Sequence, residues 1–335
     1  MMKQIGWGII GSAGIADKRT IPEGIMPSEG SRLVALMGPH GEKLEPLARK
    51  YGIDRWYTRE EDLFADPEVD AVYIASPNYL HHRQSIAAAE AGKHVLCEKP
   101  FAMNVGECEE IITACRKNGV KLSVGFMMRF HSCHREALNI ASEGRLGQLV
   151  AARVQFAGWY PDIPGAWRQI QDQGGGGSLM DLGIHGIDLV RMFMGDVVEV
   201  SAFNDTLTHG YEVEDSSLIA MKFESGSYGI VDSFFNIKRP AGGNALELNG
   251  TEGSILTRGS IGQSSEGTLR VSLVGVEASE FSPEPVNIYR AEVEDLVRAI
   301  NEDSDPVNTG EEATRDQAVA DAAFESSRTG RTIRI

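Results

Sequence analysis

The stretch that decides the fold is IGWGIIGSAGIA, residues Ile5–Ala16. Its apolar first half predicts a buried strand that leads directly into a glycine-rich turn. Such a turn brings backbone N–H groups and the start of a helix against a pyrophosphate. An ordinary tight turn is the alternative, but the position at the start of a strand–helix–strand pattern favours a dinucleotide site. We expect the contacts to come from Gly11, Ser12, Ala13, Gly14, Ile15 and Ala16, although Ala13 stands where a second glycine is usual.

Up to residue 124 the sequence alternates between strand-like and helix-like segments. Short apolar runs predict strands at Ile5–Ile10, Ser31–Met37, Ala71–Ala75, His94–Cys97 and Lys121–Gly125. Segments between them predict helices at Glu42–Tyr51, His82–Ala91 and Val105–Asn118. This alternation predicts an α/β domain over residues 1–124, a Rossmann-type doubly wound parallel sheet with right-handed crossovers.

After residue 125 the pattern changes to longer strands separated by turn signals. We expect these strands at Val150–Phe156, Val197–Asn204, Ser216–Phe223, Tyr228–Phe235 and Ala245–Asn249. Helices are expected at Gly183–Met194, Tyr289–Ile300 and Arg315–Ser327. Residues 125–335 are therefore predicted to form a second, α+β domain with a large, mostly antiparallel open sheet.

Two short motifs carry residues suited to alcohol–carbonyl redox chemistry. Glu98-Lys99-Pro100 follows a predicted strand, and the carboxyl end of such a strand is where open α/β sheets bind ligands. In the second motif, Asp181, His185 and Asp188 share one face if the segment is helical. Nearby carboxylates raise the pKa of an imidazole, and a lysine neutralises a developing alkoxide. The motifs together predict an acid–base group with a cation to assist it.

The composition excludes several classes of protein. With 335 residues the chain is long enough for two domains with separate cores. A formal net charge of −16 argues against nucleic acid and anionic membrane surfaces as partners, because both require clustered Lys and Arg. No apolar stretch approaches the length of a membrane span, and the N-terminal apolar run indicates a first strand rather than a signal peptide. The four cysteines lack metal-ligand spacing and fit buried positions in a reducing cytoplasm.

These segments together resemble the glucose-fructose oxidoreductase / inositol dehydrogenase / MocA (Gfo/Idh/MocA) family of NAD(P)-dependent oxidoreductases. The resemblance covers essentially the whole chain. It includes a Pro-Asn-x-x-His turn within Ala75–His81, the segments Ala91–Cys97 and Val124–Phe130, and the glycine run Gly174–Gly177. Membership of this family implies hydride transfer between a nicotinamide and a sugar or polyol, with a C-terminal domain that binds substrate and forms oligomers.

The resemblance also implies roles for individual residues. His185 would accept the hydroxyl proton in oxidation, Lys99 would stabilise the alkoxide, and Asp181 would bond a substrate hydroxyl or Lys99. Arg168 and Tyr160 are further candidates for contact with the substrate. The expected cofactor contacts outside the glycine turn are Gly38, His40, Ser76, Pro77, Asn78, His81, Glu98, Lys99, Pro100 and Arg129.

Each of these residues also has a purely structural explanation. Lys99 is otherwise a surface lysine at a strand end, and His185 a core histidine whose ring bonds the backbone. Asp188 either orients the imidazole or has a structural role. An Asp-His-Asp face also suits a metal ion, but no further histidine or carboxylate motif joins it, so we expect none. The run Gly174–Gly177 is either a flexible lid or a loop that leads into the helix.

The choice between NAD and NADP depends on the end of the second strand. Folds that use NAD usually carry an acidic residue there, which bonds the ribose 2′-hydroxyl. In this chain Gly38 takes that place, so the carboxylate that would repel a 2′-phosphate is absent. The Ser-Arg pair typical of NADP-using relatives is absent too, and His40 or Lys43 would have to replace it. The missing acid favours NADP.

The sequence therefore predicts an NAD(P)-dependent dehydrogenase or reductase of a sugar, polyol or sugar derivative. Three alternatives remain: a glycosidase with a tightly bound dinucleotide, a non-catalytic sugar or nucleotide sensor, and a biliverdin-reductase-like enzyme that acts on a non-sugar carbonyl. The intact set of Lys99, Asp181 and His185 argues against a sensor. We expect a homodimer or homotetramer, because a large sheet with one free face often pairs with a second copy.

Overall fold

In the computed structural model, which describes residues 3–241 and 243–335, the strand Ile5–Ile10 lies inside a six-stranded parallel sheet. All six of its residues are buried, as expected for a strand covered on both faces. The strand order is β3-β2-β1-β4-β5-β6. These strands are β1 (Ile5–Ile10), β2 (Ser31–Met37), β3 (Arg55–Tyr57), β4 (Ala71–Ile74), β5 (His94–Cys97) and β6 (Leu122–Val124). The predicted doubly wound domain is confirmed.

A second sheet contains nine strands in the order β14-β13-β12-β11-β7-β10-β9-β8-β15. Neighbouring strands run antiparallel except for the parallel pair of β7 and β10. The prediction of a mostly antiparallel sheet is therefore confirmed. The strands are β7 (Leu149–Ala157), β8 (Val197–Asp205), β9 (Ser216–Phe223), β10 (Tyr228–Phe234), β11 (Ala245–Gly250), β12 (Gly253–Arg258), β13 (Thr268–Leu273), β14 (Ser279–Phe281) and β15 (Ile333–Arg334).

The α-helices connect and cover these strands. In chain order they are α1 (Gly41–Tyr51), α2 (Glu60–Ala65), α3 (His81–Glu90), α4 (Val105–Lys117), α5 (Ser132–Ser142), α6 (Gln171–Gly174), α7 (Ile184–Met194), α8 (Ile288–Glu302) and α9 (Gly310–Thr329). Two further segments, Ala16–Ile25 and Leu179–Gly183, form wider helical turns with i→i+5 hydrogen bonds. None of the helices in the described part of the chain is long and apolar enough to cross a membrane.

The chain divides into two units, and the division differs from the predicted domains. One unit contains the chain up to Met127 together with Tyr289–Thr314, and the other contains Met128–Ile288 and Arg315–Ile335. The predicted boundary at residues 124 and 125 lies close to the first change of unit, but the expected continuous domain 125–335 is wrong. The reason is that α8 buries Val293, Leu296 and Val297 in the core around β1, so it belongs to the first unit.

Candidate active site

In the first unit, the expected cofactor residues follow the carboxyl ends of four parallel strands. Gly11 follows β1, Gly38 follows β2, Ser76 lies just beyond β4, and Glu98 follows β5. Because these strands are parallel, their carboxyl ends meet at one edge of the sheet. The fold thus brings the separate sequence segments to one edge.

The glycine-rich turn has the geometry of a phosphate cradle. Gly11 has a φ of +79°, and a Cβ added there would lie 2.6 Å from the carbonyl group of Ala75. Gly14 has a φ of +59°, and an added Cβ would meet no atom within 4 Å. The helical segment Ala16–Ile25 begins directly after the turn, which places a helix N-terminus beside this open space. These residues fit the pyrophosphate of a dinucleotide.

His81 joins the two segments that follow β4 and β5. It is 1% exposed, and its Nδ1 lies 2.9 Å from the Pro100 carbonyl oxygen while its Nε2 lies 3.0 Å from that of Ser76. Ser76 also donates its hydroxyl to Gln84 at 2.5 Å. The ring of His81 therefore fixes the position of Pro100 relative to Ser76, and its contact with a cofactor stays a prediction.

The Glu98 carboxylate is held by side chains that the sequence analysis did not identify. The hydroxyl of Tyr73 donates to Glu98 Oε1, and Thr20 Oγ1 donates to the Tyr73 hydroxyl oxygen at 2.9 Å. The N–H of Lys99 donates to Glu98 Oε2 at 3.2 Å. Burial and the Glu98 carboxylate hold the pKa of Tyr73 well above its usual value, so Tyr73 remains a donor. This series of hydrogen bonds links the helical segment after the glycine turn to the Glu-Lys-Pro motif.

In the second unit, Asp181 and His185 lie on one helical segment of changing pitch. Asp181 lies in the wider turn Leu179–Gly183, and His185 in the first turn of α7. His185 is 2% exposed, and its ring centroid lies 6.3 Å from that of Phe156. The helix approaches the sheet closely here, since a Cβ added at Gly186 would lie 2.7 Å from Val231 Cγ1. Single turns of this wider type are frequent at functional sites.

Three predicted substrate residues of this unit, Tyr160, Arg168 and Asp181, lie near one another. Arg168 Nε donates to Asp181 Oδ1 at 3.4 Å, and the Arg168 guanidinium lies 4.2 Å from the Trp167 ring centroid. Burial raises the pKa of Tyr160, and the nearby positive charge of Arg168 opposes this shift. The ring of Tyr160 packs 5.0 Å from that of Phe235. A carboxylate, a guanidinium and a phenol on aromatic supports form a surface suited to a polyhydroxylated ligand.

Asp188 is bound by Arg129, which favours its structural explanation. Arg129 Nε donates to Asp188 Oδ1 at 2.6 Å, and both residues are buried in the second unit. The sequence predicted Arg129 as a cofactor contact, and that role stays a prediction.

Glu214 anchors the start of the helix that carries Asp181 and His185, and the sequence analysis missed it. Its carboxylate accepts the N–H groups of Gly177 and Leu179 at 2.9 Å. A Cβ added at Gly177 would lie 2.0 Å from the Glu214 carbonyl oxygen. The glycine run is therefore a loop that leads into the helix and is fixed at its last residue. The only available sequence signal was the acidic pair Glu214-Asp215 before a strand.

The cysteines and the possible metal ligands among the described residues indicate no further site. All four cysteines are buried, and burial raises the pKa of Cys97 and, to about 12, that of Cys115. Among residues 3–241 and 243–335, no group of three or more His, Cys, Asp or Glu side chains is arranged to hold a metal ion.

Comparison with known proteins gives matches over most of the chain. Residues 5–126 match the family described as "Oxidoreductase family, NAD-binding Rossmann fold", and residues 134–256 match the "GFO/IDH/MocA C-terminal domain". The chain is 34% identical over 332 residues to 1,5-anhydro-D-fructose reductase of Ensifer adhaerens, covering 98% of both chains. It is 32% identical over 333 residues to D-xylose 1-dehydrogenase (NADP(+)) 2 of Haloferax volcanii, covering 98% of this chain and 99% of that one.

A solved structure gives the same result for the fold. The structure of aldose-aldose oxidoreductase from Caulobacter crescentus, complexed with glycerol, superposes with a TM-score of 0.92 at 31% sequence identity. The superposition covers 99% of this chain and 100% of that one.

Proposed function

Because the chain belongs to the GFO/IDH/MocA family of oxidoreductases, we propose that it is an NAD(P)-dependent oxidoreductase of a sugar, polyol or sugar derivative. The observation that carries the proposal is the contact of Arg168 with Asp181, which lies on the segment that continues into His185. This polar and aromatic group suits a ligand rich in hydroxyls. Relatives that are at least 30% identical along their whole length are named for the oxidoreduction of such compounds.

The chain's own residues would bind the substrate and move its proton. A ring nitrogen of His185 accepts the proton of the reacting hydroxyl in oxidation and returns it in reduction. The ammonium of Lys99 stabilises the negative charge on the substrate oxygen, and Asp181 and Arg168 hold neighbouring hydroxyls. A bound nicotinamide dinucleotide would accept or supply the hydride.

The dinucleotide would be held by the sheet edge of the first unit. The turn from Gly11 to Ala16 would hold the pyrophosphate, and the segments at Ser76 and Glu98 would contact the nicotinamide half. At the end of β2, no carboxylate occupies position 38, and the imidazole of His40 is 58% exposed. These features favour NADP over NAD, since nothing at this position repels a 2′-phosphate.

We expect the second sheet to form a homodimer, or part of a homotetramer, through its free face. Phe203, Leu218 and Ile230 are exposed large apolar residues on neighbouring strands, and the register places Phe203 directly opposite Leu218. An apolar patch of this kind on a sheet marks an interaction surface. Ile230→Glu should shift the mass measured by light scattering towards the monomer, whereas Ile163→Glu, at an exposed apolar residue outside the sheet, should not.

The enzymatic proposal is tested by the absorbance of the reduced nicotinamide. The protein is supplied with NAD⁺ or NADP⁺ and a panel of aldoses, inositols, anhydrosugars and glycosides. Lys99→Ala and His185→Ala should each lower kcat/KM by about 100-fold or more. The matched controls Lys117→Ala and His82→Ala change residues outside the proposed site and should leave it unchanged.

Other outcomes separate the alternatives. Full activity of His185→Ala would overturn its role in proton transfer. Saturable dinucleotide binding without turnover on any compound would favour a sensor or a glycosidase with a tightly bound cofactor. Turnover confined to aromatic or tetrapyrrole carbonyls would favour a biliverdin-reductase-like activity.

A further inference from the structure

Four charged side chains meet in the interior of the second unit, next to the helix that carries His185. Asp188 and Arg191 come from α7, Asp316 comes from α9, and Arg129 comes from the short turn Met127–Phe130. Arg129 Nε donates to Asp188 Oδ1 at 2.6 Å, and Arg191 Nη1 donates to Asp316 Oδ1 at 2.6 Å. Asp188 is 1% exposed and Asp316 is fully buried. The cluster therefore joins three elements without access to solvent.

The second oxygen of each carboxyl group needs a hydrogen-bond donor. Asp188 Oδ2 and Asp316 Oδ2 are both buried, and neither accepts a hydrogen bond from any residue in the described ranges. Asp188 and Arg191 are three residues apart on one face of α7, so Asp316, which accepts from Arg191, lies next to Asp188. Two ionised carboxylates side by side would repel each other, and each would leave a buried oxygen without a partner. One proton shared between the two carboxyl groups removes the repulsion and gives the buried oxygens a hydrogen bond.

We propose that Asp188 and Asp316 share a single proton, and that this carboxyl pair is a positioning device for His185. His185 precedes Asp188 by three residues, so the pair fixes the rotation of α7 and with it the imidazole. Arg129 and Arg191 hold the two outer oxygens in place. The proposed function enters this inference only through the role of His185, since the shared proton itself follows from the cluster.

The electrostatic surroundings agree with a retained proton. Burial and the neighbouring Asp188 hold the pKa of Asp316 well above its usual value, and burial raises the pKa of Asp188 although Arg129 opposes it. Two further charges lie nearby: Asp196 accepts from Arg191 Nη2 at 3.0 Å, and Arg315 Nε lies 3.8 Å from Asp196. Asp196 is about half exposed to solvent.

The test is a double-substitution cycle followed by urea unfolding at pH 7. In Asp188→Asn or Asp316→Asn, the amide takes the place of the protonated carboxyl and donates to the remaining carboxylate. Each single variant should therefore raise the unfolding equilibrium constant less than about tenfold. In Asp188→Asn/Asp316→Asn, Arg129 and Arg191 each lose the buried carboxylate to which they donate, so the unfolding equilibrium constant should rise more than about 100-fold. Asp196→Asn, which also removes a partner of Arg191, is the control and should have a small effect.

If each carboxylate is ionised and paired with its own arginine, the single variants will each lose stability and the double variant will show their sum. That result would overturn the shared proton. Infrared spectroscopy gives a measurement on the unmodified protein. At pH 8 the C=O band of a buried carboxylic acid should appear in the difference between wild type and either single variant, and its absence would also overturn the proposal.

The positioning role has a separate readout, the pH profile of kcat. Raising the pH removes the shared proton in the wild type, so kcat should fall at the alkaline end. Asn in place of either carboxyl cannot lose that proton, so the alkaline fall should move to higher pH in both single variants but not in Asp196→Asn. An unchanged alkaline limb would overturn the positioning role. Lack of activity in the wild type would instead contradict the proposed function, while the unfolding and infrared results would still decide on the shared proton.

Discussion

Gly38, at the end of β2, leaves no carboxylate at the position where we expect the ribose of the cofactor to bind. A Cβ added at Gly38 would lie 3.5 Å from Leu44 Cδ2 and 3.9 Å from Ser12 Oγ, which are ordinary van der Waals distances. Gly38→Asp should therefore fold normally and place a carboxylate where it bonds a 2′-hydroxyl and repels a 2′-phosphate. We expect the ratio of kcat/KM for NAD⁺ to that for NADP⁺ to rise at least about tenfold, which corresponds to about 1.4 kcal/mol.

Gly38→Asn tests whether the charge or the size of the new side chain changes the cofactor preference. Asparagine fills the same space and can bond a hydroxyl, but it does not repel a phosphate. If Gly38→Asn changes the preference as much as Gly38→Asp does, electrostatic repulsion is not the cause and the interpretation of this position is wrong.

His81 offers a second prediction for a single side chain. Its ring nitrogens face the carbonyl oxygens of Ser76 and Pro100, so His81→Ala releases the link between two segments expected to contact the cofactor. The KM for the dinucleotide should rise about tenfold or more, with a smaller change in the KM for the sugar. His82→Ala is the matched control, since the neighbouring His82 contacts Glu110 at the surface. Equal effects of the two substitutions would contradict the positioning role of His81.

Glu214 holds the start of the helix that carries Asp181 and His185. Glu214→Ala leaves the buried N–H groups of Gly177 and Leu179 without their acceptor, and each such group costs about 1–3 kcal/mol. We expect the free energy of unfolding, measured in urea, to fall by about 2–4 kcal/mol. Glu214→Gln keeps one acceptor oxygen and should lose about half as much.

Glu212→Ala is the control for this substitution. Glu212 lies two residues earlier, is exposed, and accepts the N–H of Gln171. Its removal should cost less than about 1 kcal/mol. A loss for Glu214→Ala no larger than that would show that the helix start does not depend on this carboxylate.

Local sequence signals were sufficient for the elements with continuous apolar runs. β1, β2, β5 and β9 have the predicted bounds, because each run is closed by glycine or polar residues. β12 and β13 were not predicted, because polar residues interrupt their short segments and their stability comes from pairing with each other and with β11. The helical segment Ala16–Ile25 was missed because it contains Pro22 and Gly24, which disfavour a helix.

The candidate site was predicted from residues that are close in sequence. Lys99 and His185 come from short motifs and their roles stay predictions, while Arg168, predicted from a separate segment, contacts Asp181. Tyr73, Glu214 and Asp316 support the predicted residues from distant parts of the chain. A single sequence carries no local pattern for such contacts, because they arise only when the elements pack.

The path of the chain between the two units was the least predictable feature of the protein. The α8 helix was predicted from its periodic apolar residues, but its amphipathic pattern does not show which core it covers. Its partner surface in the first unit includes Ile21 and Ile25, which share one buried cluster with Leu296 of the helix. The chain therefore returns to the first unit after the second sheet, and neither unit consists of one continuous segment.

A buried histidine makes the stability of the whole protein depend on pH. His134 is fully buried, its Nδ1 lies 2.8 Å from the Met128 carbonyl oxygen, and its Nε2 lies 3.0 Å from Ser260 Oγ. Burial, together with the neighbouring His131, lowers the pKa of His134 to about 3. Below about pH 6.5 the unfolded chain binds a proton that the folded protein excludes, so stability falls as the pH drops towards 3.

The expected loss from His134 between pH 7 and pH 5 is about 2 kcal/mol, because the unfolded state gains 1.36 kcal/mol for each pH unit below about 6.5. Urea unfolding of wild type and His134→Gln at both pH values measures it, since glutamine cannot take up the proton. Between pH 7 and pH 5, the free energy of unfolding should fall by about 2 kcal/mol less in the variant than in the wild type, whatever the stability of the variant at pH 7. His82→Gln, at a partly exposed histidine, should keep the wild-type difference. An equal decrease in wild type and His134→Gln would mean that His134 is protonated in the folded protein, which contradicts its complete burial between two hydrogen-bond partners.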